Sequence, residues 1–247
     1  MPTNDISFPW IGLLLGLVSA MANVLGGWAV ARGGWQPIIL RSFVALSAGF
    51  MLGACFLELF PESYELLGPT AAWWMLGGYL LIHFFEHTLS GHFHFGEEVH
   101  HEEMRHQHRA RTVLFGLMIH AFVDGVSIVS GFLVSNWLGW VVFLAVFLHK
   151  MPEGFAVASV MKASGASTRT ALNAAILLGA ATVAGALVMA PLSSMVAYTL
   201  PISAGVTLYV AASDLIPEVN HEPNVKMAML VFVGIVLLLG LRLTFGL

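Results

Sequence analysis

The chain has 247 residues, of which 58% are hydrophobic and only 10% are charged, and its mean hydropathy is +0.84. This composition excludes an ordinary soluble domain and predicts an integral membrane protein in a lipid bilayer. The formal net charge of -4 argues against a nucleic-acid partner, and the single cysteine, Cys55, excludes an internal disulfide and a cysteine-rich zinc site.

Eight apolar runs are each long enough to cross a membrane, which takes roughly 20 residues of helix. They cover residues 8–31, 37–60, 71–89, 112–134, 138–161, 170–190, 193–216 and 225–245. We interpret the first run as a spanning helix rather than a cleaved signal peptide, because it lacks a basic start. Since the runs are too long for barrel strands, the sequence predicts an all-α bundle of eight transmembrane helices. This bundle forms one membrane domain over residues 1–247, and its one long loop is 90–111.

The positive charges predict the orientation of the bundle. Seven of the ten Lys and Arg residues lie in or beside the connections that follow the first, third, fifth and seventh spans: Arg32, Arg105, Arg109, Arg111, Lys162, Arg169 and Lys226. By the positive-inside rule these connections are cytoplasmic, and both termini are outside.

The fourth and fifth spans carry the same short motif. His120-Ala-Phe-Val-Asp124-Gly125 recurs 29 residues later as His149-Lys-Met-Pro-Glu153-Gly154. Residues four apart share one face of a helix, so each span directs an imidazole and a carboxylate the same way. Two imidazoles and two carboxylates suit zinc or a neighbouring first-row divalent ion. The alternative is two buried His-carboxylate pairs that only join helices.

A second repeat relates the second and seventh spans. Ser47-Ala-Gly and Glu58-Leu-Phe-Pro-Glu62 recur 156 residues later as Ser203-Ala-Gly and Asp214-Leu-Ile-Pro-Glu218. Because the second and seventh spans are five positions apart in the order of spans, an odd number, the two copies cross the membrane in opposite directions. The sequence therefore predicts an inverted repeat, arranged as three, two and three helices, which is typical of secondary transporters.

With these motifs the chain resembles the ZIP (Zrt/Irt-like) family of divalent metal transporters, of the short-loop prokaryotic kind. The resemblance covers all eight predicted spans. It implies uptake of Zn²⁺, and in relatives of Fe²⁺, Mn²⁺, Co²⁺ or Cd²⁺, into the cytoplasm by alternating access across the cell membrane. Spans one, four, five and six are then expected to move against spans two, three, seven and eight. The resemblance also implies the ligands of the transported ion: His120, Asp124, His149, Glu153 and Met51.

The chain departs from the family pattern at two positions. Many relatives carry Asn where this chain has Ala121 and an acid where it has Lys150, and in those relatives the two groups help to hold a second metal ion beside the first. A cation at position 150 would occupy the space of the second ion and neutralise the neighbouring carboxylates. We therefore expect one transported ion per cycle. The alternative for Lys150 is that its side chain reaches toward the membrane surface.

Acidic and histidine residues outside the central motifs predict the path of the ion. We expect Glu58 and Glu62 to end the second span at the outer entrance, and Asp214 and Glu218 to end the seventh at the cytoplasmic exit. His83, Glu86 and His87 share a face of the third span, which fits either an exit ligand set or a buried hydrogen-bonded cluster. The long loop offers further metal-binding candidates, as a sensor or acceptor or as a passive solvated segment. These are His92, His94, His100, His101, His106 and His108.

Two other classes of function are compatible with a buried His and carboxylate cluster. A zinc-dependent intramembrane hydrolase would use His and Asp to activate water, but the chain has neither a His-Glu-x-x-His motif nor a Gly-x-Ser-x-Gly elbow. A metal-sensing receptor would bind the ion without moving it. A homodimer is compatible with the sequence.

Overall fold

A computed structural model describes residues 9–33, 36–90, 107–220 and 225–244. Within these ranges the regular structure is entirely helical. The helices are α1 (Pro9–Ala31), α2 (Pro37–Ala54), α3 (Phe60–Leu67), α4 (Ala71–Phe85), α5 (Gln107–Val134), α6 (Asn136–Ala163), α7 (Thr168–Met189), α8 (Val196–Tyr209), α9 (Ile216–Asn220) and α10 (Val225–Thr244). By length and composition, seven helical segments of the described chain are apolar enough to cross a membrane, which confirms an all-α, multi-pass membrane protein.

Three wide π-helical turns interrupt or extend the helices: Cys55–Leu59, Val210–Leu215 and Glu86–Ser90. The first joins α2 to α3, the second joins α8 to α9, and the third extends α4. Such turns are frequent at functional sites. Each of these three contains one acidic residue of the predicted ion path, namely Glu58, Asp214 or Glu86.

The predicted ends of two spans are wrong. The helical chain does not stop at Pro61 or after Ile216; it continues to Leu67 and Asn220. Each proline is the second residue of the short helix that follows a π-helical turn, where a missing N–H is tolerated. The Arg242 guanidinium donates to the Leu57 carbonyl, four residues before Pro61, at 3.5 Å. Glu62 and Glu218 therefore lie within helices rather than at their ends.

Two boundaries around the central pair of helices also differ from the prediction. α5 begins at Gln107, so the last part of the predicted loop is helical. α6 begins at Asn136, two residues before the predicted start at 138, and the Ser135 hydroxyl caps it by accepting from the Leu138 N–H at 3.1 Å.

One apolar segment, Ile38–Thr88, is 51 residues long. A straight helix of that length would measure roughly 75 Å, more than twice the hydrocarbon thickness of a bilayer. Gly68, at a φ of 59°, breaks the helix before α4. α4 then runs parallel to α8, since the Trp74 ring contacts the Tyr198 ring edge-on, with 5.1 Å between centroids. Further along both helices, the His83 ring contacts the Tyr209 ring edge-on at 5.9 Å.

The preceding part of that segment runs the other way. The Cys55 thiol donates to the Ala204 carbonyl at 3.4 Å. α2 packs on the Val210–Leu215 turn and on α9, whereas α3, later in the chain, packs on α8. Residue numbers therefore fall along one element as they rise along the other, and the chain reverses direction near Gly68.

Glycines bring α1, α5, α6 and α7 into backbone contact around the centre of the bundle. A Cβ on Gly154 of α6 would collide with the Asn23 carbonyl of α1, and one on Gly125 of α5 would collide with the Thr182 carbonyl of α7. Small residues of this kind allow close helix packing in membranes. These two contacts lie next to Glu153 and Asp124, so the glycines position the turns that carry the carboxylates.

Candidate metal site

Four side chains of the repeated motif converge on one point. His120 and Asp124 project from α5, and His149 and Glu153 project from α6. One ligand atom from each lies within 4.8 Å of the others. All four residues are buried, with at most 3% of their surface exposed.

Both imidazoles face the same carboxylate. The Nε2 atoms of His120 and His149 lie 3.1 and 3.3 Å from Oδ2 of Asp124 and 3.4 Å from each other. This is a single cluster and not two separate His-carboxylate pairs, so the alternative of independent helix-joining pairs does not describe the geometry. Two ring nitrogens directed at one centre are suited to hold a cation between them.

The second ring nitrogen of His149 orients its imidazole. Nδ1 lies 2.9 Å from the carbonyl of Ala145, one turn earlier in α6, and a carbonyl only accepts. We therefore assign the proton to Nδ1. This leaves Nε2 with a free lone pair, which is how metal-binding histidines are commonly held.

Lys150 is the fifth ionisable group of the cluster. Its ammonium lies 2.6 Å from Oδ2 of Asp124 and 2.5 Å from Oε2 of Glu153, and its side chain is completely buried. This burial contradicts the alternative that Lys150 reaches the membrane surface. One ammonium between two carboxylates leaves a single negative charge on the cluster when the imidazoles are neutral, and it occupies one oxygen of each carboxylate. Ala121 is fully buried and contributes no ligand atom.

Asn23 of α1 belongs to the site but was not predicted from the sequence. Its amide, oriented so that the nitrogen faces α6, donates to the Lys150 carbonyl and to Oε2 of Glu153, the latter at 3.3 Å. Asn23 is fully buried. The signal available in the sequence was an isolated amide in an otherwise apolar span, a feature that marks functional positions inside membranes.

Met51 is also buried, with 1% of its surface exposed, in the same apolar cluster as Ala121. Its thioether as a ligand stays a prediction, because methionine also fills apolar cores.

The predicted entrance residue Glu58 is held by two partners from distant helices. The Trp137 indole of α6 donates to Oε2 at 2.9 Å, and the Arg242 guanidinium of α10 lies 3.6 Å from Oε1. Glu58 is 9% exposed and Glu62 is half-buried. Glu58 thus lies where α6 meets the turn between α2 and α3.

The predicted exit residues lie along α4 and the chain from α8 to α9. Glu86 and His87 lie in the turn that extends α4, and the His83 ring lies 4.1 Å from that of His87. Asp214 is 3% exposed, whereas Glu218 is half-buried on α9. Among the described residues, the central four are the only group of three or more His, Cys or acidic side chains whose ligand atoms come together.

The histidine-rich loop falls largely outside the described residues. This applies to His92, His94, His100, His101 and His106, whereas His108 lies in the first turn of α5.

Comparison with known proteins gives a consistent result. The model of the family described as "ZIP Zinc transporter" matches residues 6–112 and 96–243. Zinc transporter zipt-7.1 of Caenorhabditis briggsae is 31% identical over 121 residues, which are 44% of this chain and 31% of that protein. Zinc transporter ZIP5 of Homo sapiens is 30% identical over 133 residues, 50% of this chain and 25% of that protein. Zinc transporter ZIP9-A of Xenopus laevis is 29% identical over 142 residues, 47% of this chain and 44% of that protein. Each match thus spans less than half the length of the relative.

Proposed function

Because the chain belongs to the ZIP zinc transporter family, we propose that it carries divalent metal ions, zinc first among them, across the cell membrane into the cytoplasm. The ion is the transported substrate, held midway by His120, Asp124, His149 and Glu153. The observation that carries this proposal is the convergence of four buried ligand atoms within 4.8 Å between helices long enough to span a bilayer.

The two rival classes of function receive less support. The relatives reported above are all named zinc transporters, and none is named as a hydrolase. A hydrolytic zinc also needs an open position for water, whereas four protein ligands complete a tetrahedron. Zinc flux into proteoliposomes separates the classes, because a receptor or a hydrolase moves no stoichiometric amount of ion. Flux no faster than in empty liposomes would contradict the proposal.

We propose eight spans, counting residues 38–88 as two antiparallel helices joined at Gly68. The opposite directions of α2–α3 and α4 relative to α8 support this count. In the proposed orientation both termini are outside and the basic connections face the cytoplasm, as the positive-inside rule predicts. Residues 1–247 then form one transport domain. The connection between α4 and α5, which is the predicted loop 90–111 shortened at its end by the start of α5, faces the cytoplasm.

Reciprocal glycine contacts support the inverted repeat. A Cβ on Gly49 would collide with the Val231 carbonyl, and a Cβ on Gly205 would collide with the Met75 carbonyl. Position 205 lies 156 residues after 49, and position 231 lies 156 residues after 75. The repeat therefore relates the two contacts to each other: an offset of 156 residues takes Gly49 of the first contact to Gly205 of the second, and Met75 of the second contact to Val231 of the first.

The same relation holds among the helices that surround the site. Gly154 packs against Asn23, and Gly125 packs against Thr182. The offset between the glycines is the 29 residues of the central motif, and the other two positions are 159 residues apart. The pseudo-two-fold relation therefore extends to α1 and α7, and it makes Thr182 the counterpart of Asn23.

The packing also supports two bodies that move against each other in alternating access. α1, α5, α6 and α7 pack on one another, α2 packs on α10, and α4 packs on α8. We propose that the first group carries the ion and that the second forms the framework.

The acidic and histidine residues outside the central cluster form the path of the ion in this arrangement. Glu58 and Glu62 serve the outer entrance, and the exit is served by Asp214, Glu218, His83, Glu86 and His87. The histidine-rich loop binds metal on the cytoplasmic side, and a homodimer is compatible with this arrangement.

We expect one zinc ion per chain at the site. The Lys150 ammonium already bridges Asp124 and Glu153, so a second divalent ion beside the first would meet a buried positive charge at close range. Calorimetric titration of the purified protein with zinc, after deletion of residues 92–106 to remove the loop histidines, measures the stoichiometry. Two equivalent intramembrane ions would contradict the role of Lys150.

A further inference from the structure

Asn23 is the one polar side chain of α1 that bonds to the cluster on α6. The orientation of its amide follows from its neighbours, because the opposite orientation would direct its oxygen at the Lys150 carbonyl and the Glu153 carboxylate. The nitrogen therefore makes both bonds. One of them joins Asn23 to the backbone within one turn of Pro152, and the other joins it to the carboxylate of Glu153.

The two oxygens of Glu153 consequently differ. Oε2 accepts from the Lys150 ammonium at 2.5 Å and from the Asn23 amide at 3.3 Å. Oε1 is buried and has no hydrogen-bond partner among the described residues. Because an unpartnered buried oxygen is costly, Oε1 is the oxygen that gains most from an incoming cation.

We propose that Asn23 is a positioning residue of the site: it holds Oε2 of Glu153, together with Lys150, so that Oε1 is presented to the ion as a single ligand. The inference rests on the proposed function. Asn23 touches the ligand and not the ion, and it ties α1 to the turn of α6 that Gly154 brings close.

The counterpart of Asn23 in the other half lacks this function. Thr182 of α7 packs against Gly125, the residue after Asp124, yet its buried hydroxyl has no hydrogen-bond partner among the described residues. Asp124 is instead surrounded by Lys150 and both imidazoles. The close backbone contact of a helical glycine therefore occurs in both halves of the repeat. A side-chain amide that holds a carboxylate occurs in only one half, at Asn23.

The test replaces Asn23 by Leu, which keeps the branched skeleton without the donor, and by Ala, which adds no bulk. We expect the zinc concentration for half-maximal flux to rise about tenfold, with the maximal rate within a factor of about two, since losing an outer-shell partner of a metal ligand typically costs 10–100-fold in affinity. A purely structural role gives the opposite pattern, a lower maximal rate from less folded protein at an unchanged half-saturating concentration. Either that pattern, or wild-type kinetics, in a folded variant overturns the inference, and the Ala variant decides if the Leu variant does not fold.

Ser19→Ala is the matched control. Ser19 lies one turn before Asn23 on α1, is fully buried, and has a hydroxyl with no hydrogen-bond partner among the described residues. Removing the Ser19 hydroxyl should leave the half-saturating zinc concentration unchanged. If that concentration rose as much in Ser19→Ala as in the Asn23 variants, the change would come from altered packing of α1 and not from the Asn23 amide. Absence of zinc flux in the wild-type protein would instead overturn the proposed function itself, so the two failures are distinguishable.

Discussion

Replacing Glu153 by Ala should reduce zinc binding about a hundredfold or more and abolish measurable zinc flux at low zinc. Four-ligand structural zinc sites bind with roughly 10–16 kcal/mol, so one ligand in four accounts for about 3 kcal/mol, which is a factor of about a hundred. The loss also leaves Lys150 with Asp124 as its single carboxylate partner in the cluster. Flux is measured in proteoliposomes with an internal zinc indicator, and affinity by titration of the purified variant.

The control for this variant is Glu65→Ala. Glu65 is an exposed acid of α3 that lies outside the cluster, so its removal tests whether loss of any negative charge slows flux. We expect near wild-type flux from it. A Glu153→Ala protein that is folded and transports zinc with wild-type kinetics would remove Glu153 from the site.

Replacing Gly154 by Ala should separate α1 from α6 and disrupt the site through the backbone. The added Cβ would collide with the Asn23 carbonyl, carbonyl carbon and Cα, which are backbone atoms that cannot rotate away. Overpacking a close contact typically lowers the free energy of unfolding by about 1–3 kcal/mol. Because the clash here is with backbone, we expect a loss of about 3 kcal/mol. We expect a lower melting temperature in detergent and weaker zinc binding together, because the displaced α6 turn carries Glu153.

Gly77→Ala provides a matched control for the glycine variant. Gly77 is also a helical glycine in an apolar span, and a Cβ there would meet nothing within 4 Å. The substitution should leave melting and zinc binding unchanged or slightly improved, since Ala is the better helix former. Equal effects at positions 77 and 154 would contradict the close α1–α6 packing.

Much of the site was predictable because it follows helical spacing. His120 with Asp124, and His149 with Glu153, are four residues apart, and their repetition at a constant offset indicated that they act together. Asn23 was not predictable in the same way. A single amide in an apolar helix has no partner in sequence, and only the packing of Gly154 against α1 brings it to Glu153.

The helix ends near Pro61 and Pro217 were predicted wrongly for a physical reason. Proline normally ends a helix because it lacks an N–H and clashes with the preceding turn. Here a wide turn precedes each proline, and the Arg242 guanidinium of α10 bonds to the Leu57 carbonyl before Pro61. That compensation comes from a residue 185 positions away in the chain, which local sequence patterns do not reveal.

For Lys150, the sequence predicts a buried cation, but only the structure shows which groups it contacts. The sequence indicated that a cation replaces the acid common among relatives, and burial costs make an unpaired ammonium there unfavourable. The structure adds the partners, one oxygen each from Asp124 and Glu153. It also shows that Oε1 of Glu153 is left without a hydrogen-bond partner among the described residues, a distinction that spacing alone does not make.

Anomalous scattering from crystals soaked in zinc, recorded at the zinc absorption edge, tests the central claim most directly. We expect one peak per chain inside the bundle, about 2.0–2.2 Å from Nε2 of His120, Nε2 of His149 and a carboxylate oxygen of each of Asp124 and Glu153. A site without a peak in zinc-saturated crystals, with the four side chains turned away from one another, would contradict the account.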